Sequence, residues 1–125
     1  MSGKSRLEDL EVYEISLEIS DKVWNLVILW DNFSRNNIGG QLLRAIDSVG
    51  ANISEGYGRG SKIDNARFVK ITRGSLFESK HWLNVSHRRK LLSDKEIKEI
   101  LDEIESLPPR LSAYINYLSS YSNKL

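Results

Sequence analysis

The first proline in this chain is Pro108, and most of the glycines gather at 39–40 and 56–60, so little ahead of Pro108 forbids long helices. Between those breaks the apolar residues repeat at helical spacing. In the first segment Leu10, Tyr13, Leu17, Trp24, Val27 and Ile28 form one stripe, and Val12, Ile15, Ile19, Val23, Leu26 and Trp30 form a second. At about 100° per residue the two stripes cover well over half of the helix circumference. One bundle face cannot bury both.

The second segment places Leu42, Ile46, Val49, Ile53 and Tyr57 on one face, after a turn expected at Asn36, Asn37, Gly39 and Gly40. The third opens with Ser61 as N-cap and Asp64 at the third helical position. Its inward line, Phe68, Ile71, Thr72, Ser75, Ser79, Trp82, Leu83 and Ser86, is rich in small side chains that let a second helix approach closely. The fourth carries a capping box at Ser93 and Glu96, then Ile97, Ile100, Leu101 and Ile104. Pro108-Pro109 interrupts it before Leu111, Tyr114, Ile115 and Leu118, with the first proline disfavouring helical geometry at Leu107.

The spacing predicts one all-α domain over residues 1–125, with helices at 8–31, 37–57, 62–90 and 94–122 and flexible ends at 1–6 and 123–125. The expected architecture is an antiparallel up-down-up-down four-helix bundle, its fourth helix kinked or split at Pro108-Pro109, assembling as a homo-oligomer. The doubled stripe of the first helix is the reason for expecting self-association.

Function classes fall away by composition. The chain has no cysteine, which removes disulfides, thiolate metal clusters and cysteine nucleophiles. No apolar run approaches a membrane span, and the N-terminal residues do not read as a signal peptide, so a cytoplasmic protein without a membrane partner is expected. Glu78 and His81 have the spacing of a di-metal ligand pair, but His87 has Asn84 where a second glutamate would stand. Gly56 to Ser61 resembles a phosphate loop, yet a helix precedes it and no Gly-Lys-Ser/Thr follows. With two histidines and no nucleophile motif, neither an enzyme nor a cofactor is expected.

Charge is more informative by position than in total. Residues 61–90 hold 8 Lys/Arg against 2 Asp/Glu, whereas 1–60 hold 6 against 9 and 91–125 hold 4 against 6. Arg67, Lys70, Arg73, Lys80, Arg88, Arg89 and Lys90 are the candidate nucleic-acid-binding residues. Arg67, Lys70, His81 and Arg88 fall within roughly 60° of one another, a basic ridge suited to phosphate backbones. On the second helix Arg44, Ser48, Asn52, Glu55 and Arg59 follow one another by helical steps as a polar stripe. That stripe is expected to form a paired network between helices or subunits, with arginine forks facing carboxylate or phosphate.

The residues of this stripe carry a resemblance. Gln41-Leu-Leu-Arg-Ala-Ile-Asp-Ser-Val-Gly-Ala-Asn-Ile-Ser-Glu-Gly56, Gly58-Arg-Gly-Ser61, Phe68 and Arg73-Gly-Ser-Leu-Phe-Glu78 resemble the signature of the four-helix bundle proteins encoded in intervening sequences of bacterial 23S rRNA genes. Leu7 to Tyr13 is similar to that family's first helix. Leu43, Asp47 and Lys80 depart from the family pattern. The resemblance implies a homopentamer, kinship with the accessory variability determinant of diversity-generating retroelements, and marked positions at Arg44, Ser48, Asn52, Glu55, Gly56, Arg59, Gly74, Ser75 and Glu78. It points to a non-enzymatic nucleic-acid-binding protein, taking structured RNA or DNA with little sequence preference. The alternative it implies is a protein-interaction scaffold or accessory subunit of a reverse transcriptase.

Overall fold

The inner of the two stripes on the first helix decides how that helix lies. In the computed structural model α1 spans Glu11–Val27, and Val12, Ile19, Val23 and Val27 of that stripe or beside it are buried. Residues 7 and 10–123 are described, with side chains as far as Tyr117; the flexible ends expected at 1–6 and 123–125 lie outside the described residues, except that Asn123 closes the last helix.

The chain turns earlier than its apolar pattern suggested. Asp31 caps α2, Asn32–Ser34, its carboxylate accepting from Ser34 N at 2.9 Å and Ser34 Oγ at 2.8 Å. Those hydrogen bonds hold the Asp31 carboxyl below its ordinary range. The Asn and Gly cluster expected to be a turn is instead a π-helical turn, Arg35–Gly39, running straight into α3, Gly40–Gly58. The correction has a simple cause: Asp31 satisfies the orphan N–H groups, so the helix starts ahead of the cluster rather than after it.

Helix α4, Lys62–Arg88, begins at Ser61, whose Oγ accepts from Asp64 N at 3.3 Å. Helix α5, Asp94–Glu105, begins with the expected capping box at Ser93 and Glu96. The fourth arm then breaks at Ser106 and resumes as α6, Leu107–Asn123. Leu107 is helical and fully buried, contrary to the sequence expectation, because Pro108 and Pro109 occupy a first turn whose N–H groups need no intrahelical partner. All described secondary structure is helical, consistent with a four-helix bundle made of α1, α3, α4 and the paired α5 and α6.

Small residues set the spacing of the arms. A Cβ on Gly50 would stand 2.9 Å from Ser16 Oγ on α1, and one on Gly56 would stand 2.7 Å from Phe68 Cβ on α4. Thr72, Ser79 and Ser86, all fully buried on α4, donate their hydroxyls to the carbonyls of Phe68, Ser75 and Trp82, four residues back. Each hydroxyl is satisfied within its own helix, so the seam stays narrow without orphaned polar groups. Contacts of α1 with the second arm run from Ser16 at Gly50, through Ser20 Oγ donating to Ile46 O at 3.4 Å, to Val27 at Gly39. Ile46, Ile53, Leu83, Ile104 and Leu111 meet in the core.

Candidate nucleic-acid and assembly surfaces

Helix α4 divides the predicted basic ridge into parts with different surroundings. Arg73 Nη2 donates to Ser112 Oγ on α6 at 2.7 Å, and Lys80 is ion-paired with Glu105 at the end of α5. Both are half-buried and turned toward the fourth arm, so they present less of their length to solvent than the rest of the ridge. Sequence spacing could not show this, because the partners arrive from far along the chain.

Arg67, Lys70, Arg88, Arg89 and Lys90 remain exposed, and none has an acidic partner among the described residues. Arg67 stacks against one side of the Phe68 ring, 5.7 Å from its centroid, and Arg59 lies 5.2 Å from the same centroid. Arg88, Arg89 and Lys90 close the helix, where the C-terminal dipole favours cations. Lys90 takes a left-handed backbone conformation, φ 64°, while Leu91 N donates to Ser86 O at 2.8 Å. This is a Schellman-type ending built without glycine.

The polar stripe is satisfied mostly within α3. Ser48 Oγ donates to Ala45 O at 2.6 Å, Asn52 Nδ2 donates to Ser48 O at 2.8 Å, and Arg59 pairs with Glu55 at 3.0 Å. Arg44 folds back over Gly40. Arg44, Glu55 and Arg59 are exposed, as is Glu78 on α4, so the stripe is not a buried network between helices of one protomer. Arg59 reaches another helix, at Phe68.

Apolar side chains are exposed as well, on α1 as its doubled stripe leads one to expect and on α4 beyond what the sequence reading anticipated. The outer stripe of α1 stands partly in solvent at Leu17, Trp24 and Ile28, and Leu29 and Phe33 are exposed at the turn that follows. Beside Leu17 an open trough of about 700 Å³ runs between α1 and α3 over Gly50, Ala51, Ser54 and Gly58. On α4, Ile63, Ile71 and Phe77 are exposed, and Ile71 thereby leaves the buried line expected of it. Ile63 and Phe77 share the sector of Arg67 and Lys70 at 100° per residue. The signal was available, since the same arithmetic that found the cations also places these side chains.

Among the described residues no group of three or more His, Asp or Glu is placed to hold a metal, and no helix is long and apolar enough to cross a membrane. His81 is exposed and meets Trp82 edge to face, with ring centroids 4.8 Å apart.

The sequence profile of the 23S rRNA-intervening sequence proteins matches residues 8–113. No curated protein matches the chain. Among solved structures, a protein of unknown function from the S23 ribosomal protein family of Bacteroides thetaiotaomicron superposes with a TM-score of 0.76. It is 24% identical, over 84% of this chain and 95% of that one, a likeness that shows the shared fold.

Proposed function

The chain belongs to the 23S rRNA-intervening sequence protein family, and on that premise we propose that it is a non-enzymatic, self-associating bundle that binds structured RNA electrostatically. Its arms run antiparallel, up-down-up-down, as the order of α1 contacts supports. The observation that carries the binding reading is the group Arg88, Arg89 and Lys90 at the end of α4, solvent-facing and without an acidic partner among the described residues, inside a stretch with 8 cations against 2 anions. Phosphate recognition needs clustered, solvent-facing cations and no base-reading platform, which gives binding with little sequence preference. Arg67 and Lys70 are poorer phosphate ligands, standing among Ile63, Ile71 and Phe77. Repetition in a cytoplasmic homo-oligomer, a pentamer by the family resemblance, multiplies the three-cation group into an extended basic surface.

The test is a titration of structured RNA and duplex DNA at several salt concentrations, with wild type and Arg88→Glu/Arg89→Glu. Affinity should fall steeply with salt, and the variant's log–log slope should be shallower by about two, one for each phosphate contact removed. Equal binding by both proteins would overturn the assignment. No binding by either near physiological salt would favour the second reading, an accessory subunit docking a reverse transcriptase. That reading draws on Leu29 and Phe33, which stand exposed with no polar role.

A further inference from the structure

Among the described residues, two of the uncovered faces of the protomer are complementary rather than alike. One is the trough between α1 and α3, floored by Gly50, Ala51, Ser54 and Gly58 and edged by Asp21, Asp47 and the Glu55–Arg59 pair, whose charges cancel and leave the two aspartates to set its sign. With nothing larger than serine along that floor, another helix can approach to short interaxial distance. The other is the outer face of α4. Ile63 is 84% exposed and Phe77 71% exposed, and Arg67, Lys70 and Gly74 share their sector to within about 80°. Gly74 has nothing within 4 Å of where a Cβ would stand, so this helix too can be approached closely at its middle.

Length and charge agree. The trough's α3 side from Asp47 to Gly58 spans about 16 Å, and the ridge from Ile63 to Phe77 about 21 Å, at 1.5 Å per residue. Asp21 and Asp47 have no basic partner among the described residues, and Arg67 and Lys70 have no acidic one. A bulky basic ridge and a shallow acidic trough on one molecule satisfy each other's charge and bury each other's apolar surface.

We infer that a second copy of this chain seats the Ile63 to Phe77 face of its α4 in the trough between α1 and α3. The inference rests on the self-association proposed above and names its contact. Because the two surfaces differ, the contact is head to tail. Each protomer then offers one trough and one ridge, and growth stops only when a ring closes. Arg67 and Lys70 turn toward the neighbour's Asp21 and Asp47, while Arg88, Arg89 and Lys90 stay outside the contact and remain available to RNA.

Mixing two defective variants tests this. Asp47→Arg/Ala51→Trp blocks the trough, and Ile63→Glu/Phe77→Glu blocks the ridge, with all four positions exposed in the protomer. Light scattering after size exclusion should show each variant alone at protomer mass and an equimolar mixture at twice that mass, because one intact trough then meets one intact ridge and nothing further can add. Circular dichroism melts check the protomer fold. If either double variant melts well below wild type, the single changes Asp47→Arg and Lys70→Glu replace it, with the shift toward protomer on dilution as readout. A mixture that stays monomeric, or a variant that keeps the wild-type mass, overturns the inference and leaves self-association standing. A monomeric wild type overturns both. RNA titration reports on neither, since Arg88 and Arg89 are untouched.

Discussion

Replacing Tyr114 by phenylalanine removes one oxygen from the seam between α4 and α6, and the structure sets its cost. Asn65 is 7% exposed, and its Nδ2 donates to Tyr114 Oη at 2.8 Å. Its Oδ1 has no partner among the described residues, and of these the phenol oxygen alone satisfies this buried amide. Without it the amide donor is stranded, at a cost of about 1–3 kcal/mol. For a domain of this length that corresponds to a fall in Tm of roughly 3–15 °C, measured at fixed protein concentration so that assembly does not confound the comparison. Removing both partners should cost less than removing one, so Asn65→Leu/Tyr114→Phe should recover much of the loss.

The same residue gives a pH signature. Burial raises the Tyr114 pKa, partly offset by the Asn65 hydrogen bond and reinforced by Tyr57 nearby. The folded protein therefore keeps the phenolic proton to higher pH than the unfolded chain. This contribution to stability is intact below the ordinary tyrosine value, near 10, and is lost as pH rises through the folded value. Wild-type Tm should fall more steeply above about pH 10 than that of Tyr114→Phe. A Tyr114→Phe melt superimposable on wild type at neutral pH, or a double variant whose loss is the plain sum of the single ones, would refute the reasoning.

Gly56→Ala adds a methyl 2.7 Å from Phe68 Cβ and 2.9 Å from Asn65 Oδ1, so it should destabilise by about 1–3 kcal/mol in chemical denaturation, although alanine is the better helix former by about 1 kcal/mol. An unchanged or raised midpoint would mean that the α3 and α4 backbones can separate freely. Lys90→Gly relieves a left-handed conformation in a lysine and should raise stability by about 0.5–1 kcal/mol, while weakening RNA binding by the loss of one cation. A lower Tm in that variant would show that the lysine stem contributes packing beyond its backbone strain.

Much of the fold was legible because it depends on neighbours in sequence. The caps at Ser61 and Ser93 are local, and so is the face of Leu42, Ile46, Val49 and Ile53, all of which are buried. The break before Pro108 follows from proline's own geometry. The start of the second arm was missed because Leu29 and Trp30 continue an apolar rhythm past Val27, where side-chain capping by Asp31 outweighs propensity. The candidate site was legible only in part. Arg88, Arg89 and Lys90 stand in solvent as charge counting suggests, but Ser112 and Glu105 claim Arg73 and Lys80 across the bundle, and no spacing rule sees that far. For the stripe at Arg44 to Arg59, helical arithmetic gave the correct face; local hydrogen bonds, not another helix of the protomer, satisfy its Ser48 and Asn52.

The π-helical turn at Arg35–Gly39 bears on how such chains can diverge. A π turn holds one more residue than an α turn would, an insertion absorbed without breaking the helix. Upstream of it the chain is the short capped turn at Asn32–Ser34; downstream lie the α3 residues that pack on α1 and α4. A descendant sequence that lost one residue here could tighten the turn to α geometry and rotate the upstream cap, while Leu42, Ile46, Val49 and Ile53 kept their places in the core. The turn between the first two arms is thus free to change length and orientation over generations, and with it the direction in which Leu29 and Phe33 are presented.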